Sequence, residues 1–77
     1  MKLEIITPEK QLFNGDVTSV KFPGKNGEFE ILQNHAPIIS TLNKGEIRVI
    51  TKSETKKFEI NGGVIEMQDN KIIVLAE

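Results

Sequence analysis

The chain has 77 residues, 38% of them hydrophobic and 27% charged, with no cysteine, one histidine and a formal net charge of -1. That length fits one small domain, 1–77, which hides only about 60 to 65% of the surface its unfolded chain exposes, so modest stability is expected. Without cysteine there is neither a disulfide framework nor a thiolate metal site, and Lys and Arg form no stripe of the kind that tracks nucleic-acid phosphates. The opening Met1-Lys2-Leu3-Glu4-Ile5-Ile6 is too short an apolar run for a signal peptide, and no stretch approaches the roughly 20 apolar residues of a membrane span. Membrane association is therefore expected only through a partner.

Ile and Val come in short runs bounded by Gly, Pro, Asn and Asp, which predicts an all-β domain. Leu3 to Thr7 reads as a first strand, ended by Thr7-Pro8-Glu9-Lys10 because Pro removes a ladder donor and restrains its predecessor. Leu12 and Phe13 pack before an Asn14-Gly15-Asp16 turn of positive φ. From Val17 to Phe22, Thr18, Val20 and Phe22 share one face, and Phe22 to Gly27 forms a loop. Glu28 to Leu32 alternates again, Phe29 and Ile31 opposing the carboxylates of Glu28 and Glu30.

After the irregular Gln33-Asn34-His35-Ala36-Pro37 comes an apolar strand, Ile38 to Leu42. Asn43-Lys44-Gly45 reads as a turn with a left-handed Gly. Ile47 to Thr51 and Lys57 to Ile60 form a hairpin around Lys52-Ser53-Glu54-Thr55. Val64 to Met67 and Ile72 to Leu75 form another around Gln68-Asp69-Asn70-Lys71. Gly62-Gly63 is either a turn or a bulge where a second backbone comes close. Turn signals at this spacing, with no amphipathic helix, are those of an antiparallel sandwich or barrel.

Chemistry is sparse. His35 alone builds no metal site, and Ser19, Ser40 and Ser53 lie outside any strained glycine-flanked turn of the kind that presents a nucleophile. Gly24-Lys25-Asn26-Gly27 lacks the Ser or Thr and the following helix of a phosphate loop, and Glu28 with Glu30 reads as a solvated face rather than an acid/base pair. No catalytic residue, metal or cofactor is expected. The segment from Gly24 to Leu42 is more specified than plain strands require. Either it makes a contact, or its glycines merely turn the chain and His35 caps a strand end.

At this segment Gly24-Lys25-Asn26-Gly27-Glu28-Phe29-Glu30-Ile31-Leu32-Gln33-Asn34-His35-Ala36-Pro37-Ile38 resembles the run G-x-x-G-E-x-G-I-L-P-x-H-A-P-L of the ε-subunit family of F-type ATP synthases. Leu3-Glu4-Ile5-Ile6-Thr7-Pro8-Glu9, Leu12-Phe13-Asn14-Gly15, Leu42-Asn43-Lys44-Gly45, Gly62-Gly63-Val64-Ile65-Glu66-Met67, Asp69-Asn70-Lys71 and Val74-Leu75-Ala76 extend the match over essentially the whole chain. Glu30 stands where that family commonly has Gly, and Gln33 where Pro is frequent.

The resemblance implies a flattened sandwich of about ten strands in two sheets. It implies a non-catalytic rotor subunit of the central stalk, peripheral at the cytoplasmic face of the membrane, bound to the γ subunit and resting on the c-ring. Carried over residue by residue, Glu28, Phe29 and Glu30 match the c-ring side, and Thr7, His35 and Ser40 the γ side. The family's usual chain continues after the Val-Leu-Ala segment as two helices. Their restraint of ATP hydrolysis, and their ATP binding in some members, are not expected of a chain ending at Glu77, whether it is naturally short or truncated. From the residues alone, a free-standing β-sandwich that binds a ligand or peptide is the competing reading, and a hydrolase using His35 a third.

Overall fold

The computed structural model describes residues 1–77 as nine β-strands without a helix. They are β1 (Lys2–Ile6), β2 (Gln11–Asp16), β3 (Ser19–Gly24), β4 (Gly27–Leu32), β5 (Ile38–Leu42), β6 (Gly45–Ile50), β7 (Thr55–Ile60), β8 (Gly63–Gln68) and β9 (Lys71–Ala76). Two layers face each other: β5-β8-β9-β1-β2 forms the first, and β4, β3, β6 and β7 the second. Pairing is antiparallel except between β1 and β9, which run parallel from Lys2↔Lys71 to Ile6↔Leu75.

The expectation of an all-β sandwich holds, with two differences in detail. There are nine strands rather than ten, because Thr7 to Lys10 and Asn43-Lys44 are spent on turns. The layers are also one continuous hydrogen-bonded path, since Gly24 at the end of β3 pairs with Leu42 at the end of β5. Lys25 N–H donates to the Thr41 carbonyl at 3.3 Å and Asn43 N–H to the Pro23 carbonyl at 2.8 Å, completing that corner. At the opposite edges no backbone pairing closes the structure. There the Phe13 ring of β2 meets the Phe58 ring of β7 edge-on, centroids 5.9 Å apart, with Lys56 Nζ 5.7 Å from the Phe13 centroid.

Successive side chains of a strand point to opposite faces, so each strand contributes every second residue to the interior. Leu3, Ile5, Ile65, Met67, Ile72 and Val74 from the first layer meet Val20, Phe22, Ile31, Ile47, Val49 and Ile60 from the second, all essentially inaccessible to solvent. Each such side chain contributes about 1.5 to 3 kcal/mol relative to exposure.

Several turn expectations give way to pairing. Asn14 and Gly15 are not a turn: they lie within β2 opposite Glu4 and Leu3, because β1 supplies a partner ladder that runs to Lys2↔Asp16. Pro23 and Gly24 likewise continue β3, leaving only Lys25-Asn26 as the connection to β4. Thr18 precedes β3, its N–H and hydroxyl both donating to the Ile50 carbonyl, so it does not share the buried face of Val20 and Phe22. Gly45 is not left-handed. It starts β6 against Pro23, where an added Cβ would sit 2.8 Å from the Pro23 Cβ. The Asp69-Asn70 turn is as expected, both residues having positive φ, 54° and 60°.

Gly62 and Gly63 resolve in favour of close backbone approach. Gly63 has φ 153°, and an added Cβ would collide with the Leu75 carbonyl oxygen and lie 3.0 Å from the Ala76 Cα. Neither obstacle is a flexible side chain, so the backbone itself would have to move. A Gly63→Ala variant is expected to lose at least about 2 kcal/mol. Thermal unfolding should show this as a fall in Tm of roughly 8 to 16 °C.

Candidate functional site

Strand β4 is held on one side only, by β3. Its alternation turns Phe29 and Ile31 inward and Glu28, Glu30 and Leu32 outward. Phe29 is half-buried, its ring centroid 5.5 Å from that of Phe22, so it props the strand while the carboxylates beside it face solvent. Lys21 stands opposite Glu30, and its Nζ lies 3.4 Å from a Glu28 carboxylate oxygen. This pair is exposed, and such an ion pair is worth about 0 to 1 kcal/mol. The row continues across the outer face of the second layer as Glu30, Lys21, Arg48 and Lys57 in register. That face is charged throughout its centre.

The outer face of the first layer is the opposite. Val64, Leu75 and Ile6 are consecutive register partners, and Ile39 and Ile73 flank Glu66 in the neighbouring row. Ile39 is 79% exposed, Leu75 54% and Val64 46%. Ile39, Val64, Ile73 and Leu75 line a shallow hollow of about 180 Å³. Exposed apolar side chains grouped in this way around the single carboxylate of Glu66, on a domain this small, mark an interaction surface. Sequence reading assigned these strands to the sandwich but missed this surface. Its signal was present: Val64-Ile65 and Ile72-Ile73-Val74-Leu75 are apolar at both parities, and a strand with one face in the core must then present the other set to solvent or a partner.

Thr7, His35 and Ser40 are not brought together. Thr7 follows β1 at the sheet end where β5 and β9 finish, its hydroxyl donating to the Lys10 carbonyl at 3.0 Å. There it joins Leu42, Asn43 and Gly63 around an open groove of about 680 Å³. His35 lies at the other end, before β5, with Nδ1 donating to the Ala36 carbonyl at 2.7 Å. Ser40 sits midway along β5, paired with Ile65 and half-buried on the inward side, its hydroxyl 3.5 Å from the Thr41 carbonyl. His35 and Ser40 each engage a neighbouring backbone carbonyl and not one another, and no three His, Cys, Asp or Glu residues converge on one point.

What holds the His35 loop is a clasp that the sequence did not reveal. Asn70 Oδ1 accepts from Asn34 N–H at 2.8 Å, and Asn70 Nδ2 donates to Asn34 Oδ1 at 2.9 Å. Asn34 adopts φ 64° to permit this. The partners are 36 residues apart, a separation no local pattern spans.

A family model described as the β-sandwich domain of the ATP synthase delta/epsilon chain matches residues 1–77. The ATP synthase epsilon chain of Chlorobium limicola is 43% identical over 77 residues, covering 99% of this chain and 88% of that one. That of Caulobacter vibrioides is 38% identical, covering 100% and 90%. That of Pelotomaculum thermopropionicum is 44% identical, but this chain spans only 56% of its length. In fold, the chain is similar to one in the central stalk/c-ring structure of the Tetrahymena thermophila mitochondrial ATP synthase, with TM-score 0.84, 20% identity and coverage of 97% and 61%. A chain of the Euglena gracilis mitochondrial ATP synthase gives TM-score 0.89 at 17% identity, with coverage of 96% and 48%.

The clasp is testable apart from any partner. Asn70→Gly preserves a residue suited to the positive-φ turn and removes both side-chain bonds, at an expected cost of about 1 to 2 kcal/mol. Hydrogen exchange should show the Asn34 amide losing protection while amides of β8 and β9 keep theirs.

Proposed function

The chain belongs to the ATP synthase delta/epsilon-chain β-sandwich family, and from that premise we propose that it is a non-catalytic subunit of the central stalk, seated between the γ subunit and the c-ring so that the three turn together and couple ion translocation to ATP synthesis. The observation that carries the partner assignment is the contrast between its outer faces, one apolar around Ile39, Val64 and Leu75, the other charged around Lys21, Glu28 and Arg48.

In this reading γ covers the apolar face of the first layer. Thr7 and His35 bracket that face at its two ends, so a partner laid along the strands reaches both, whereas Ser40, turned inward on β5, is approached only along that strand's edge. The carboxylates of Glu28 and Glu30, with Phe29 as their prop, face basic groups of the c-ring loops. Burial of exposed Ile, Val and Leu side chains dominates the γ affinity, at about 1.5 to 3 kcal/mol for each one fully covered. A rim ion pair at Glu28 contributes orientation and about 0 to 1 kcal/mol. Transmitting torque calls for a stiff body with separated contacts, which two layers tied at the Gly24–Leu42 corner offer. No helix is long and apolar enough to cross a membrane, and the proposed location is peripheral, at the cytoplasmic face, through these partners.

Calorimetric titration into the γ subunit of the same source tests the assignment, with wild type, Glu28→Lys and Leu75→Glu side by side. Wild type and Glu28→Lys should bind one to one with similar affinity. Leu75→Glu, whose fold is checked by its Tm, should bind at least about 30-fold more weakly, as expected when a central apolar contact worth about 2 kcal/mol is lost. Absence of wild-type binding to folded γ at micromolar concentration, or Leu75→Glu binding like wild type, would contradict it.

A further inference from the structure

Three Asn-Gly dipeptides occur in the chain, Asn14-Gly15, Asn26-Gly27 and Asn61-Gly62, and the fold treats them very differently. Such dipeptides share one intrinsic reactivity. The glycine nitrogen, unshielded by any side chain, attacks the Asn side-chain carbonyl carbon. The new N–Cγ bond closes a succinimide as the Cγ–Nδ2 bond breaks and ammonia leaves, carrying the proton of the former backbone amide. Water then adds to either ring carbonyl, and the C–N bond that opens decides between Asp and isoaspartate. The net change is one water gained and one ammonia lost, with no oxidant or reductant. The requirement is geometric: the glycine nitrogen must be able to swing toward its neighbour's side chain.

At Asn14-Gly15 that swing is blocked. Both residues belong to β2 and pair with Glu4 and Leu3, and the Phe13 ring lies 3.5 Å from the Gly15 Cβ position. An extended strand holds ψ near about +135°, which turns the following nitrogen away from the side-chain carbonyl. Asn61-Gly62 is pinned from both sides, with Asn61 N–H donating to the Glu77 carbonyl at 3.0 Å and Glu77 N–H donating to the Gly62 carbonyl at 2.9 Å. Gly62 is also buried.

Asn26 itself is free of both restraints, being outside the strands, while Gly27 is held only at the first position of β4, opposite Gly24. The dipeptide lies at the tip of the β3–β4 hairpin with both residues exposed, and the Asn26 side chain makes no hydrogen bond. Gly27 has φ 121°, with no atom within 4 Å of where a Cβ would be. We propose that Asn26 is a modification site, converting spontaneously through a succinimide to Asp and isoaspartate in the folded protein, while the fold protects Asn14 and Asn61.

The product alters the acidic edge. Aspartate at 26 places a further carboxylate beside Glu28 and Glu30. Isoaspartate adds a backbone atom to the two-residue connection between Gly24 and Gly27 and shifts the strand pairing there. Only the importance of this change rests on the c-ring reading, since the modification itself requires no partner.

The experiment is to age the isolated chain in mildly alkaline buffer made with heavy-oxygen water, below its unfolding temperature, and to follow each dipeptide by peptide mapping and mass spectrometry. Asn26 should convert at least about tenfold faster than Asn14 or Asn61, because each 1.4 kcal/mol of local opening that a protected site requires slows it by a factor of ten. In urea the three rates should converge, and Asn26→Gln should remove the fast conversion. Folded-state conversion of Asn14 or Asn61 at the rate of Asn26 would overturn the proposal. So would the same ratio persisting in urea, since sequence neighbours would then set the rates. None of these readouts involves γ or the c-ring, so failure here is distinguishable from failure of the rotor reading.

Discussion

Interleaving of the two inner faces is the constraint on which the rest of this molecule depends. Phe22, Ile31, Ile47 and Val49 from one layer and Leu3, Ile5, Ile65, Ile72 and Val74 from the other exclude solvent from a single thin core. No disulfide assists them. Because the side-chain period of a strand is two, a one-residue slip of any strand would send its whole inward set to solvent. Register is therefore held tightly everywhere the core reaches, and the surfaces follow from it.

That coupling explains why the two outer faces differ. In β4 and β6 the residues between core positions are charged, so their outer face is a solvated lattice of Glu28, Glu30, Lys21 and Arg48. In β8 and β9 several of the intervening residues are Val, Ile and Leu, and satisfying the core leaves Val64, Ile73 and Leu75 on the outside. The apolar face is a consequence of registering these strands on the core.

The curated relatives vary in how far they extend past this domain. The chain spans 88% and 90% of the Chlorobium limicola and Caulobacter vibrioides sequences but 56% of the Pelotomaculum thermopropionicum one. What the relatives share with this chain is thus the sandwich itself.

By itself the sequence determined the all-β class, most strand positions, the Asp69-Asn70 turn and the family, because alternation, turn chemistry and an ordered run of motifs are local properties. It misassigned Asn14-Gly15 and Gly45, where the residue type is that of a turn but the neighbouring strand decides the conformation: β1 extends Asn14-Gly15, and Pro23 crowds Gly45. It left Gly62-Gly63 open for the same reason, since only the approach of Leu75 and Ala76 chooses between turn and contact. The Asn34–Asn70 clasp, the separation of Thr7 from His35 and the apolar face were decided by tertiary structure alone. Each depends on which strands become neighbours across dozens of intervening residues, and local periodicity carries no information about that pairing.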